Sequence, residues 1–167
     1  MASPKQKDSI KNAIFFFNDF ITISLATDNV EYSNKPEKWN IKKLTFTSFL
    51  LGLFCTIWIL FLILFVGGNL LHLNIEQTKT FAFLTIVLSI PVSILSIRDR
   101  GLLIKVPPSK YLMLAMILSI VASNLMALFG IFMVPISPKN ILYADIFVGL
   151  MFLPLKFLKT LVHSLYG

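Results

Sequence analysis

Of 167 residues, 56% are hydrophobic, 14% are charged and sixteen are Phe, a balance too apolar for an ordinary soluble domain. The net charge of +7 would suit nucleic acid, but Lys and Arg gather at the ends of apolar runs rather than in one stripe, so membrane topology accounts for them and no nucleic-acid partner is expected. The single cysteine, Cys55, lies in an apolar run and excludes both an internal disulfide and a cysteine metal site within one copy.

The chain reads as an all-α, polytopic integral membrane bundle whose first partner is the lipid bilayer. Residues 1–12, "MASPKQKDSIKN", form a polar N-terminal segment without the apolar core and cleavage site of a signal peptide. Residues 13–167 read as one membrane domain with approximate spans at 13–27, 44–66, 80–97, 111–134 and 141–161. The last four are clear. The first would be about 22 Å long as a helix, against a hydrocarbon core of about 30 Å, so it reads as a short or broken membrane helix. Pro91 predicts a kink in the third span, with the freed carbonyl met by Ser89 or Ser93.

Positive charge alternates between the connections. Lys35, Lys38, Lys42 and Lys43 fall in loop 28–43, and Arg98, Arg100, Lys105 and Lys110 in loop 98–110; Lys79 and Lys139 stand alone in theirs, and Lys156 and Lys159 lie near the C-terminus. The positive-inside rule then makes loops 28–43 and 98–110 and the C-terminus cytoplasmic. A spanning first segment would put Lys5, Lys7 and Lys11 outside, which the same rule disfavours for an isolated chain. That segment therefore either lies along the interface or is a broken helix supported by protein this chain does not contain. In loop 28–43, Asn34 and Pro36 read as turn formers and Trp39 as a headgroup-level anchor.

Within the first segment, "FFFNDFITISLATDNV" carries Asp19. A carboxylate at membrane depth must be protonated, paired or facing water, and each case marks an ion or proton path. Asn18 and Thr22 are four apart and Asp19 and Thr22 three apart, so the three form a candidate ion-binding group on one helix face. The plainer alternative has Asn18 and Asp19 capping an interfacial helix that begins near Phe20. Asp145 stands near the start of the last span, where dipole and interfacial water can hold it, while Ser119, Ser123 and Asn124 read as interhelical or backbone hydrogen-bonding groups. His72 and His163 have no neighbouring ligand set, so no metal is expected. With no phosphate-binding glycine loop and no nucleophilic constellation, neither a cofactor nor a catalytic residue is expected. The charged stop Arg98, Asp99, Arg100 reads as a match for anionic headgroups.

The stretch "NDFITISLATDNVEYSNKPEKWNIKKL" resembles the sixth membrane helix and following loop of P-type proton-transporting ATPases of the plasma-membrane type. "TFAFLTIVLSIPVSILSIRDRG" looks like their eighth helix and "LPLKFLKTLVHSLYG" like the close of their tenth, so the resemblance covers roughly residues 14–165. Its most specific parts are Asn18–Asp19 and Asp28 to Val30. The resemblance implies that Asp19 takes the place of the proton carrier, in a helix unwound near mid-membrane. The family's DKTGT phosphorylation motif, nucleotide-binding domain and TGE-bearing actuator domain do not occur here, which implies that the chain is not an enzyme by itself. Two readings follow. The chain is a C-terminal membrane module of a cation or proton pump, joining the ion pathway only when assembled with the missing catalytic part. Alternatively, it is a truncated or diverged non-catalytic membrane protein that binds an intact pump or persists alone. The implied location is the plasma membrane.

Overall fold

The computed structural model describes residues 4–29, 41–98 and 106–165. Val30, Asn34, Lys35, Pro36, Lys38, Trp39, Asp99, Arg100 and Lys105 lie outside the described residues. The described elements are helical throughout: α1 (Pro4–Leu25), α2 (Ile41–Phe61, continued by a π-helical stretch, Leu62–Leu70), α3 (Ile75–Arg98), α4 (Lys110–Phe129), α5 (Pro138–Leu150) and α6 (Phe152–Leu165). Four stretches are long and apolar enough to cross a membrane: Leu44–Leu70, Ile75–Arg98, Lys110–Phe129 and Pro138–Val162, the last made of α5 and α6 together. This is an all-α membrane bundle with α1 added to four spans.

The axis of the bundle is α3, which touches every other described helix. Of its apolar window 56% is buried, against 17% for α2, so α2 lies on the outside. Apolar side chains gain little by leaving lipid for protein, and association in a membrane rests on close packing and interhelical hydrogen bonds. Both appear here. Ala115, Ser119, Ser123 and Ala127 recur every four residues on α4, all buried, so its backbone approaches its neighbours closely. Phe81, Phe83, Leu84, Val87 and Leu88 of α3 fill the centre with Phe17, Leu62, Val66, Ala144 and Val148 from the surrounding helices.

Local chemistry sets the helix ends. At the start of α3, Asn74 Oδ1 accepts from the Gln77 amide at 3.0 Å and Gln77 Oε1 accepts from the Asn74 amide at 3.3 Å, a reciprocal cap. Helix α4 ends at Gly130, whose φ of +68° is left-handed; a Cβ there would stand 2.8 Å from Pro135 Cδ and 2.9 Å from the Met133 carbonyl oxygen. In the second span the hydrogen bonds widen to five-residue spacing, as when the Leu71 amide donates to the Val66 carbonyl at 2.9 Å. Gly67 in that stretch meets the Phe81 ring, 3.4 Å from where its Cβ would be.

Prolines act differently in the two spans that hold them. Helix α3 continues through Pro91. The expected serine partners do not meet the carbonyl freed by Pro91: Ser89 Oγ donates to Ile86 O at 2.7 Å, and Ser93 Oγ lies 3.7 Å from Cys55 Sγ. The last span, read from sequence as one segment, instead breaks at Met151. Pro154 has no amide to offer the preceding turn, and the chain there tightens so that the Met151 amide turns to Val148 O at 3.0 Å. Phe147 O is left without the Met151 amide, and Trp58 Nε1 of α2 supplies it with a donor at 3.2 Å.

Candidate ion site and the polar groups of the bundle

Helix α1 is longer than the apolar run 13–27 and begins in the polar segment, at Pro4. It is helical without interruption to Leu25, so the expected break is absent; no Pro or Gly falls within residues 5–25 to force one. Its buried edge is Phe17 and Ile21, one turn apart, with Ile10, Ala13 and Ile14 partly covered. Phe17 meets the Phe83 ring of α3 at 6.4 Å, and Ile21 packs with Leu112 and Met116 of α4.

Two residues beyond Phe17, and so rotated about 200° from it around the helix, Asp19 points away from α3 and α4. Asn18, Asp19 and Thr22 are all exposed. Around them are Phe15, Phe16 and Ile23, at 63%, 65% and 72% exposure. The structure thus keeps the predicted trio on one side of one helix, exposed and, among the described residues, without a side-chain hydrogen-bond or ion-pair partner. The alternative in which Asn18 and Asp19 cap a helix starting near Phe20 is overturned, because both are interior to α1.

At its far end α1 is anchored. Asp28 Oδ2 accepts from Arg98 Nε at 2.9 Å, and Oδ1 accepts from Arg98 Nη2 at 3.1 Å and from the Ser109 amide at 2.9 Å. Arg98 also donates to the carbonyls of Val106, Asn29 and Pro107, while Asn29 Nδ2 donates to Pro107 O at 3.1 Å. The two charged side chains are only 6% and 9% exposed. Ser109 completes the knot by capping α4, its Oγ accepting from the Leu112 amide at 3.2 Å. One cluster therefore joins the exit of α1, the exit of α3 and the start of α4. Together with Phe17 and Ile21 it fixes the rotation of α1, and hence the direction in which Asp19 faces.

The aspartate face and its anchor belong to the region whose sequence resembles ion pumps, and comparison with known proteins agrees. No protein-family model matches the chain. A protein named as a cation-transporting ATPase in Methanocaldococcus jannaschii is 33% identical over 120 residues, 71% of this chain. A plasma membrane ATPase of Kluyveromyces lactis is 32% identical over 119 residues, 70% of this chain. These relatives are P-type cation-transporting ATPases. The match spans 15% of the first relative and 13% of the second, a small part of either.

The bundle holds polar groups whose partners sequence reasoning did not identify, although Asn124 was read as an interhelical or backbone hydrogen-bonding group and does bond across helices. Arg98 was expected to face headgroups and instead grips Asp28; the long separation of the two residues hides that pairing from local pattern. Asn124 of α4 donates through Nδ2 to both carboxylate oxygens of Asp145 on α5, at 3.3 and 3.1 Å. Their mid-helix positions in consecutive, short-looped spans were the available signal. Lys156 was counted with the C-terminal cations, yet it is 1% exposed, with its amine 5.1 Å from the Phe152 ring centroid. Among the described residues, the buried atoms Ser119 Oγ, Asn124 Oδ1 and Lys156 Nζ have no hydrogen-bond partner.

Proposed function

We propose that this chain is a C-terminal membrane module of a P-type cation or proton pump, and that it joins the ion pathway when assembled with the part carrying the other helices and the cytoplasmic domains. The observation that supports this most is the orientation of α1. A carboxylate directed away from its own bundle, among exposed aromatic and aliphatic side chains, is costly against lipid and suits a helix covered by further protein. In the assembly Asp19 binds the transported proton or cation and Asn18 and Thr22 supply hydrogen bonds to it, while the bundle of α2 to α6 holds α1 in place. The short share of the ATPase relatives that the chain matches agrees with a module that does not hydrolyse ATP by itself.

Residues 13–167 act as one membrane domain in this reading, preceded by the polar segment 1–12. Loops 28–43 and 98–110 and the C-terminus face the cytoplasm, and the membrane is the plasma membrane, as the positive charge and the plasma membrane ATPase relative suggest. The test is isolation of the tagged chain from native membranes in mild detergent. Equal recovery of a polypeptide bearing DKTGT is the expected result, with transport lost on Asp19→Asn. Recovery of the chain alone, in a well-behaved state, would overturn the proposal in favour of a diverged, non-catalytic membrane protein derived from such a pump.

A further inference from the structure

We propose that Asn124 and Asp145 form a proton-binding pair between α4 and α5, separate from Asp19. The two share a layer of the bundle. Asn124 lies five residues before the end of α4 at Phe129 and Asp145 seven after the start of α5 at Pro138, or about 8 and 10 Å along their helices. Asp145 is half-buried, with exposed Leu142 and Ile146 flanking it on α5.

The hydrogen bonding is incomplete in an informative way. The amide nitrogen of Asn124 donates to both carboxylate oxygens, while its own Oδ1 is buried and unpartnered. A charged carboxylate has no proton to offer that oxygen. A neutral carboxyl does. When a hydronium ion passes its proton to one Asp145 oxygen and leaves as water, and the amide turns in plane, the acid O–H donates to Asn124 Oδ1 and the amide N–H donates to the other acid oxygen. Both groups are then satisfied in one two-bond ring, and the step leaves every covalent bond to carbon unchanged. The pair therefore has a hydrogen-bonding arrangement for each protonation state, and only the protonated one uses the orphan oxygen.

A proton fits better than a metal cation. One carboxylate and one amide supply three oxygens, whereas hard cations such as calcium collect six to eight. The charged and titratable groups on the packed elements are Glu76, Lys79 and Arg98 on α3, Lys110 and Tyr111 on α4, Lys139 and Tyr143 on α5, and Lys156, Lys159 and His163 on α6. Glu76 and Lys79 pair with each other at 2.7 Å, Arg98 is committed to Asp28, and Lys159 donates to Ile97 O. Cys55 of α2 lies against Ser93. The hydrogen bonds to the Asp145 carboxylate come from Asn124.

The experiment is infrared difference spectroscopy of the full chain in phosphatidylcholine vesicles as pH is lowered. The proposal expects a protonated-carboxyl stretch that Asp145→Asn abolishes, that Asp19→Asn leaves in place, and that Asn124→Leu moves to higher frequency through the lost hydrogen bond. If Asp145→Asn does not fold by circular dichroism, Asp145→Glu replaces it and must shift the same band. A band that survives replacement of Asp145, or one that Asn124→Leu leaves unmoved, overturns the pair as a proton site. Because the readout needs no partner polypeptide, failure of the pump-module reading would not imitate either result.

Discussion

Arg98 holds Asp28 with two nitrogens, Nε on Oδ2 at 2.9 Å and Nη2 on Oδ1 at 3.1 Å, across 70 residues of sequence. The fork geometry matches a guanidinium to a carboxylate on both sides, and the Ser109 amide adds a third bond to the same carboxylate. This cluster and the apolar contacts of Phe17 and Ile21 together tie α1 to α3 and α4.

Removing either partner should cost more than a surface pair would. Arg98→Ala or Asp28→Ala leaves an almost fully covered charge without its counterpart, a change of about 3 kcal/mol. Arg98→Lys should recover only part of it, because an ammonium cannot bridge both oxygens. Unfolding titrations in mixed micelles check the magnitude. The double variant should lose less than the sum of the two single losses, and strict additivity would mean that the pair is not coupled.

Trp58 should matter through its nitrogen as well as its ring. Trp58→Phe keeps an aromatic side chain beside Phe54 and Phe61 but removes the donor to the carbonyl of Phe147, which the tightened turn at Met151 leaves without its helical partner. In a bilayer that carbonyl has no water to turn to, so a loss of about 1 kcal/mol is expected. Replacing Pro154 with Ala restores an amide to the last span and should reduce the penalty of Trp58→Phe. A penalty equal in both backgrounds would detach the tryptophan from the kink.

The membrane class and the four long spans were legible because a run of apolar residues longer than about 18 has few other uses. Asp19 could be singled out as a charge within a shorter apolar run, 13–27. What sequence did not disclose depends on relations between runs. The stripe Ala115, Ser119, Ser123, Ala127 reads as ordinary apolar and hydroxyl composition until a neighbour packs on it, and Asn124 with Asp145 reads as two separate residues until α4 and α5 fold back on each other. Helix α1 begins earlier than hydropathy suggested because Lys5, Gln6, Lys7 and Lys11 are themselves good helix formers, and polarity does not prevent a helix from continuing beyond its apolar part.

Gly130 is a position where a methyl group should be felt strongly. Its left-handed backbone disfavours any L side chain by about 1–2 kcal/mol, and the added carbon would also press on Pro135 and on the carbonyl of Met133. Gly130→Ala should therefore destabilise the turn from α4 to α5. Gly52→Ala is the control, since a Cβ there meets nothing within 4 Å. Comparable unfolding curves for the two variants would contradict the geometry of this turn.

The two sides of α1 should respond to substitution in opposite ways. Phe17 is 6% exposed and touches Phe83, so Phe17→Ala opens a cavity in the main core and should cost the isolated chain about 2 kcal/mol or more. Asp19 is exposed on the opposite side, so Asp19→Leu should change the unfolding free energy of the isolated chain by less than about 0.5 kcal/mol. In native membranes the order reverses if further helices cover that face: a leucine facing a polar ion site abolishes transport while the fold stays intact. Unfolding in micelles and ion uptake in vesicles, measured on the same Asp19→Leu preparation, separate the two effects. A large loss of stability in the isolated chain would mean that Asp19 serves this bundle itself, and the open face of α1 would then need no partner to explain it.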